Sequence, residues 1–113
     1  MLIKKNKKLV YLKKEATFDG EINSSDNIYL EGNVSGEVKT SKNVYVLKGA
    51  NVTSNLTADN IQIFGSVKGN ITATKKIIIN EAARVYGNIR CESLKLLDGA
   101  LYSGQLEVTE ISK

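Results

Sequence analysis

The chain repeats itself every fifteen to eighteen residues, and the repeating unit has the alternation of a strand. Six triplets carry the pattern: Phe18-Gly20-Ile22, Val34-Gly36-Val38, Val52-Ser54-Leu56, Val67-Gly69-Ile71, Val85-Gly87-Ile89 and Tyr102-Gly104-Leu106. Each reads apolar, small, apolar at alternate positions, and the first members lie 16, 18, 15, 18 and 17 residues apart. A second ladder runs in step with the first: Ile28/Leu30, Val44/Val46, Ile61/Ile63, Ile77/Ile79 and Leu94/Leu96. Alternation at period two puts one side of a strand in a core and the other in water. A fixed short period made of strands signals a solenoid. No segment sustains a helical pattern, and the period is too short for leucine-rich repeats. About seventeen residues fit one turn of a parallel β-helix, in which three short strands form a coil and the next coil stacks on it. Residues of equal phase then stand above one another, so Ile22, Val38, Leu56, Ile71, Ile89 and Leu106 form one column of a narrow apolar core.

The column Gly20, Gly36, Gly69, Gly87 and Gly104, with Ser54 as its one exception, is expected to point inward. A thin core has no room for three large side chains on one face of a coil, and glycine lets the opposite wall approach. Three coils insert two residues at the same corner: Leu47-Lys48-Gly49-Ala50, Asn80-Glu81-Ala82-Ala83 and Leu97-Asp98-Gly99-Ala100. The remaining corners are rich in Asn, Asp and Ser, which bond local backbone groups. The chain has no proline, as suits a fold in which nearly every amide is needed by a neighbouring coil.

The fold expected is all-β: one parallel β-helix of about six coils over residues 16–108, with disordered termini at 1–15 and 109–113. Charge is divided between these parts. Residues 1–14 hold six lysines and no acid, whereas the remaining 99 hold ten basic and twelve acidic side chains. The basic character therefore belongs to the tail, and nucleic acid is not the expected partner of the domain. The apolar run Leu9-Val10-Tyr11-Leu12 is too short for a signal h-region or a membrane span. With a single cysteine, Cys91, in a polar stretch and read as a bystander, the chain is expected to be cytoplasmic.

Nothing in the sequence assembles an enzyme or a cofactor site. The chain has no histidine, which removes the usual general base, the common zinc ligand and the familiar triads. No glycine-rich loop joins a strand to a helix, as phosphate binding requires. Glu31, Glu37, Asp59, Glu81 and Glu92 are spread around the coils without pairing and read as solvated. Hexapeptide-repeat acyltransferases are β-helices too, but their coils keep a strict eighteen and their chemistry depends on histidine.

The run Ile28-Tyr-Leu-Glu-Gly-Asn-Val-Ser-Gly-Glu-Val38, the run Ile61-Gln-Ile-Phe-Gly-Ser-Val-Lys-Gly-Asn-Ile71 and the closing Gly99-Ala-Leu-Tyr-Ser-Gly-Gln-Leu106 resemble a bactofilin. The resemblance spans about residues 18–108. It implies a right-handed β-helix with six windings, in keeping with the general preference of crossovers. It also implies a bacterial cytoskeletal scaffold that polymerises end to end, without nucleotide, into non-polar filaments.

Polymerisation is expected on physical grounds as well. Repeat proteins carry polar caps at both ends, and this chain shows none. The first coil is expected to begin at Phe18 and the last to end near Val108, with the apolar phase intact at both. Uncapped strands are templates for another chain. The expected polymer interface is thus Phe18 and Ile22 at one end, and Tyr102, Leu106 and Val108 at the other. Among the outward residues of the second ladder, Tyr29, Tyr45, Leu47, Phe64, Ile78 and Leu97 are apolar or aromatic, an expected lateral contact. Residues 1–14 hold two small apolar groups, each followed by lysines. Met1, Leu2 and Ile3 can enter the acyl boundary while Lys4, Lys5, Lys7 and Lys8 face anionic head groups, a short hook of the kind seen in bactofilin-like chains. The expected location is the inner face of the cell membrane. A non-polymeric, membrane-bound adaptor and a hexapeptide-type enzyme remain the alternatives, and the client proteins are not readable from the residues.

Overall fold

The computed structural model of the chain describes residues 9–109, which form thirteen strands and no helix. In chain order these are β1 (Leu9–Leu12), β2 (Thr17–Ser24), β3 (Asn27–Leu30), β4 (Asn33–Thr40), β5 (Asn43–Val46), β6 (Asn51–Ile63), β7 (Ser66–Lys68), β8 (Ile71–Ile79), β9 (Arg84–Tyr86), β10 (Ile89–Cys91), β11 (Ser93–Leu96), β12 (Leu101–Ser103) and β13 (Leu106–Val108). Every pairing is parallel and joins a residue to one about a coil away. The result is a solenoid with three walls. The long strand β6 bends through all three, pairing with β4, β5, β7 and β8.

The columns expected from the repeat are structural columns. Phe18, Val34, Val52, Val67, Val85 and Tyr102 are successive partners, as are Ile22, Val38, Leu56, Ile71, Ile89 and Leu106. The third wall stacks Ile28, Val44, Ile61, Ile77 and Leu94. Their side chains fill the interior, and most are buried completely. Burying one such side chain contributes about 1.5–3 kcal/mol. The ion pairs Lys42–Asp26, Lys75–Asp59 and Arg90–Glu107 lie at the surface, where a pair is worth about 0–1 kcal/mol. The columns, then, hold the coils together.

Three expectations change. The solenoid begins at Leu9, not Phe18: β1 pairs with β3, placing Val10 against Ile28 and Leu12 against Leu30, and both side chains are buried. The segment 9–12 has the phase of the ladder above it, and its flanking lysines disguise this as tail. It is followed by a fourth two-residue corner, in which the Ala16 amide donates to the Lys13 carbonyl as Ala50, Ala83 and Ala100 do at theirs.

The glycine column does not point into the core. Gly20, Gly36, Gly69, Gly87 and Gly104 mark a corner between two walls, with φ between +113° and +148°, a region closed to most side chains. A Cβ on Gly36 would be directed along the stack, into the Gly20 carbonyl of the coil beneath. Glycine is required by backbone conformation and by the closeness of the next coil, not by the width of the core. Ser54 takes this place with an ordinary φ, and its buried hydroxyl has no partner.

Cys91 lies in the core and not in a polar stretch. It pairs with Val108 of the last coil and is buried, as are the small side chains of Ser24, Thr40, Ala58 and Ala73. Burial pushes its thiol pKa up, against a smaller lowering by a backbone hydrogen bond from Ser93. Raised thiols are poor nucleophiles at neutral pH.

Candidate assembly site at the ends of the solenoid

An interior coil is covered from both sides, while a terminal coil has one neighbour. Among the described residues, β11, β12 and β13 pair only backwards, with β8, β9 and β10. Their other edge presents unpaired backbone groups, which recruit further strands. The inward side chains share this exposure. Leu96 and Leu106 are 52% and 50% exposed, whereas their column partners Ile79 and Ile89 are 0% and 2%. Leu94, Tyr102 and Val108 are half-buried around them. The last coil thus ends as an apolar platform continuous with the core.

The first coil is built differently. β1 and β2 pair only with β3 and β4, yet Val10, Leu12 and Ile22 are buried. Phe18 is half-buried and its ring lies over the first corner, where a Cβ on Gly20 would stand 3.4 Å from the ring's Cζ. Of the residues expected at the polymer interface, Phe18, Tyr102, Leu106 and Val108 lie on the terminal coils with surface to offer. Ile22, at 4% exposure, is covered and offers none. Leu96, which the expected set omits, is more exposed than any of those four except Leu106, which it matches. Its signal was its place as the final member of the second ladder.

Tyr102 is more than an apolar filler. Its hydroxyl can donate to the Gly87 carbonyl at 2.9 Å or to the Gln105 carbonyl at 2.7 Å. Burial pushes its pKa above 10.0, keeping the phenol neutral in physiological solution. The ring therefore spans the fold's last glycine corner as Phe18 covers the first, with valines in the same column between them.

The outer face of the second ladder carries a stack of tyrosines. The rings of Tyr29 and Tyr45 are 4.8 Å apart and inclined by 16°, and Tyr11 extends the stack at 6.1 Å and 18°. Tyr11 donates to the Glu31 carboxylate at 2.7 Å, which, with lesser effects of burial and the negative charge, raises its pKa. Leu47, Phe64, Ile78 and Leu97 continue the apolar face, each half-buried. Met1, Leu2, Ile3, Lys4, Lys5, Lys7 and Lys8 lie outside the described residues.

No cluster of three potential metal ligands occurs among the described residues, and no helix there is long and apolar enough to cross a membrane. The acids singled out in the sequence do not converge. Asp59 meets Thr74 and Lys75, Glu31 meets Tyr11, and neither arrangement faces an enclosed cavity.

The comparisons with known proteins agree with this geometry. The structure superposes on a filament subunit described as a cryo-EM reconstruction of Thermus thermophilus bactofilin double helical filaments, with a TM-score of 0.80 and 26% identity. The match covers 85% of this chain and 95% of that one. No curated protein sequence matches the chain significantly. The sequence model of the bactofilins, described as polymer-forming and cytoskeletal, matches residues 10–107, nearly the whole solenoid. This chain, a β-solenoid open at its last coil, belongs to the bactofilin family of polymer-forming cytoskeletal proteins.

Proposed function

We propose that the chain is a filament subunit that joins end to end through its terminal coils, without nucleotide, and that its filaments pair and lie along the inner face of the cell membrane. The half-exposure of Leu96 and Leu106, in line with fully buried columns, carries this reading. The same asymmetry favours joins between like ends. A second copy of the last coil brings a second set of exposed leucines, and an isologous contact buries both sets at once. The first coil, with Val10, Leu12 and Ile22 already covered, is a poorer match for that platform. Filaments of this kind have no polarity. Pairing follows the double helical filaments of the Thermus thermophilus relative. Membrane attachment rests on residues 1–8, whose one small apolar group, Met1-Leu2-Ile3, holds one subunit weakly and a filament firmly through many simultaneous contacts.

Electron microscopy of the purified full chain in buffer free of nucleotide and metal tests the central claim. Filaments are expected, with an axial repeat of two subunits. A monodisperse monomer at all concentrations, or assembly only on adding nucleotide, would overturn it.

A further inference from the structure

The strands of the last coil hold one base and one acid. Lys95 is exposed on β11 and Glu107 on β13, while β12 between them, Leu101-Tyr102-Ser103, is uncharged. The register places the two charges symmetrically. Followed down the stack, Lys95, Tyr102 and Glu107 stand over Tyr29, Val34 and Lys39. In that lower coil, which has no two-residue insertion between β3 and β4, Tyr29 and Lys39 lie five residues before and five after Val34. The half-exposed Leu96 and Leu106 stand over Leu30 and Val38, four residues before and four after the same valine.

We propose that the join between two last coils is centred on β12, with Lys95 of each copy opposite Glu107 of the other. The inference rests on the end-to-end reading above and specifies how the two platforms are turned against each other. A two-fold axis perpendicular to the solenoid lays one wall on its own copy, with strands antiparallel, and exchanges the other two walls. A three-walled coil therefore has three settings. Centred on β11, the join sets Lys95 against Lys95. Centred on β13, it sets Glu107 against Glu107. Centred on β12, it brings opposite charges together twice, and the equal spacing about Tyr102 lays Leu96 on Leu106 in both halves. Opposite charges facing each other on neighbouring strands are favourable and like charges unfavourable, and the charge pattern of a contact fixes its register. Glu107 is steadied for this role. Arg90 donates to its Oε1 from Nε at 3.2 Å and from a terminal nitrogen at 3.1 Å, which leaves Oε2 for the lysine of the second copy.

Cysteine pairing in the full chain reads the setting directly. Strand-on-strand spacing of about 4.8 Å brings facing residues within disulfide range. Lys95→Cys and Glu107→Cys chains are assembled separately and together, oxidised as filaments and run on non-reducing gels. The native Cys91 is buried, and wild type controls for it. The mixture is expected to form disulfide dimers, and neither variant alone. Dimers from Lys95→Cys alone would centre the join on β11 and dimers from Glu107→Cys alone on β13. Either result overturns the proposal, as does a mixture without dimers. Gln62→Cys mixed with Thr72→Cys, two coils back in the same rows, measures side-to-side contact. Linkage there equal to that at 95 and 107 also overturns the proposal. Charge reversal gives a second readout. Lys95→Glu and Glu107→Lys should each raise the critical concentration for assembly by about tenfold, and the doubly reversed chain should restore it. A doubly reversed chain no better than the single variants overturns the pairing. Wild type without filaments would overturn the end-to-end reading itself, and this setting with it.

Discussion

The hydroxyl of Tyr102 lies 2.9 Å from the carbonyl oxygen of Gly87, one coil below, so the last side chain of a core column also ties its coil to the corner beneath it. Valine holds the four interior positions of that column, where the coil above supplies cover. At the end no such cover exists, and a ring with a polar tip stabilises the corner from within the subunit. Tyr102→Phe should keep the fold and lose about 0.5–1.5 kcal/mol, a typical net hydrogen-bond contribution, measured by urea unfolding of unassembled protein. Tyr102→Arg puts a charge into the apolar platform, and its burial in a join is unfavourable by several kcal/mol. Soluble dimers joined at the other end are expected, seen by analytical ultracentrifugation. Unchanged filaments would remove Tyr102 from the interface.

The same phenol predicts an alkaline limit. Its pKa in the folded chain is raised above 10.0 by burial. A raised pKa means that the folded state favours the protonated form. The contribution is therefore complete below pH 10 and is lost as pH rises through the raised value. Absorbance titration at 295 nm should show a late-titrating tyrosine that is missing from Tyr102→Phe, and the stability gap between the two proteins should close over the same range.

Glycine and alanine at the corners should respond in opposite directions. Gly36→Ala forces a side chain into positive φ and against the Gly20 backbone. Strained backbone alone costs about 1–3 kcal/mol, and overlap adds to it, so thermal unfolding should show a loss of about 3 kcal/mol or more. Ala82 already sits at φ 69°, where the corresponding corners have Gly49 and Gly99. Left-handed backbone costs alanine about 1–2 kcal/mol, and glycine's freedom in the unfolded chain returns about 0.4–1 kcal/mol of that. Ala82→Gly should be neutral to about 1.6 kcal/mol stabilising; a clear loss of stability would contradict this account of the corner.

Leu12 decides where the folded domain starts. It is 1% exposed, and truncating such a side chain costs about 2–5 kcal/mol. Leu12→Ala should lower the denaturant midpoint, whereas Leu12 in a loose tail would be silent on substitution.

Residues 1–8 are expected to bind anionic vesicles through both charge and apolar contact. Leu2→Ala with Ile3→Ala should weaken co-sedimentation although every lysine remains, and raised salt should weaken the wild type. Assembly-defective Tyr102→Arg should bind less well than filaments. Intact binding after removal of residues 1–8, or complete displacement by DNA, would exclude a membrane hook.

The walls of the solenoid were legible because a parallel register converts sequence period directly into vertical contact. Val34, Val52, Val67 and Val85 announce their column by spacing alone. Backbone conformation was less legible. Alternation ran straight through Gly36 and Gly87, so they looked like core positions, and only their φ values reveal a corner. Segment 9–12 was obscured by composition, since lysines on both sides outweighed four residues in perfect phase. At the candidate site, spacing identified Tyr102, Leu106 and Val108 as the last inward residues. It could not tell that Ile22 is covered while Leu96 is not, because spacing gives the phase of a residue along its strand and not its exposure at a terminal coil.

The direction of the hydrogen bonds between coils has a mechanical consequence. Strands circle the solenoid, so the bonds joining one coil to the next run along its axis. Tension on a filament built along that axis would load all the bonds of a coil together, in parallel, and would not peel them one after another. Each subunit should therefore resist stretching almost as a continuous rod, and rupture under load should be concentrated at the joins, where fewer bonds and two flat apolar platforms share the force.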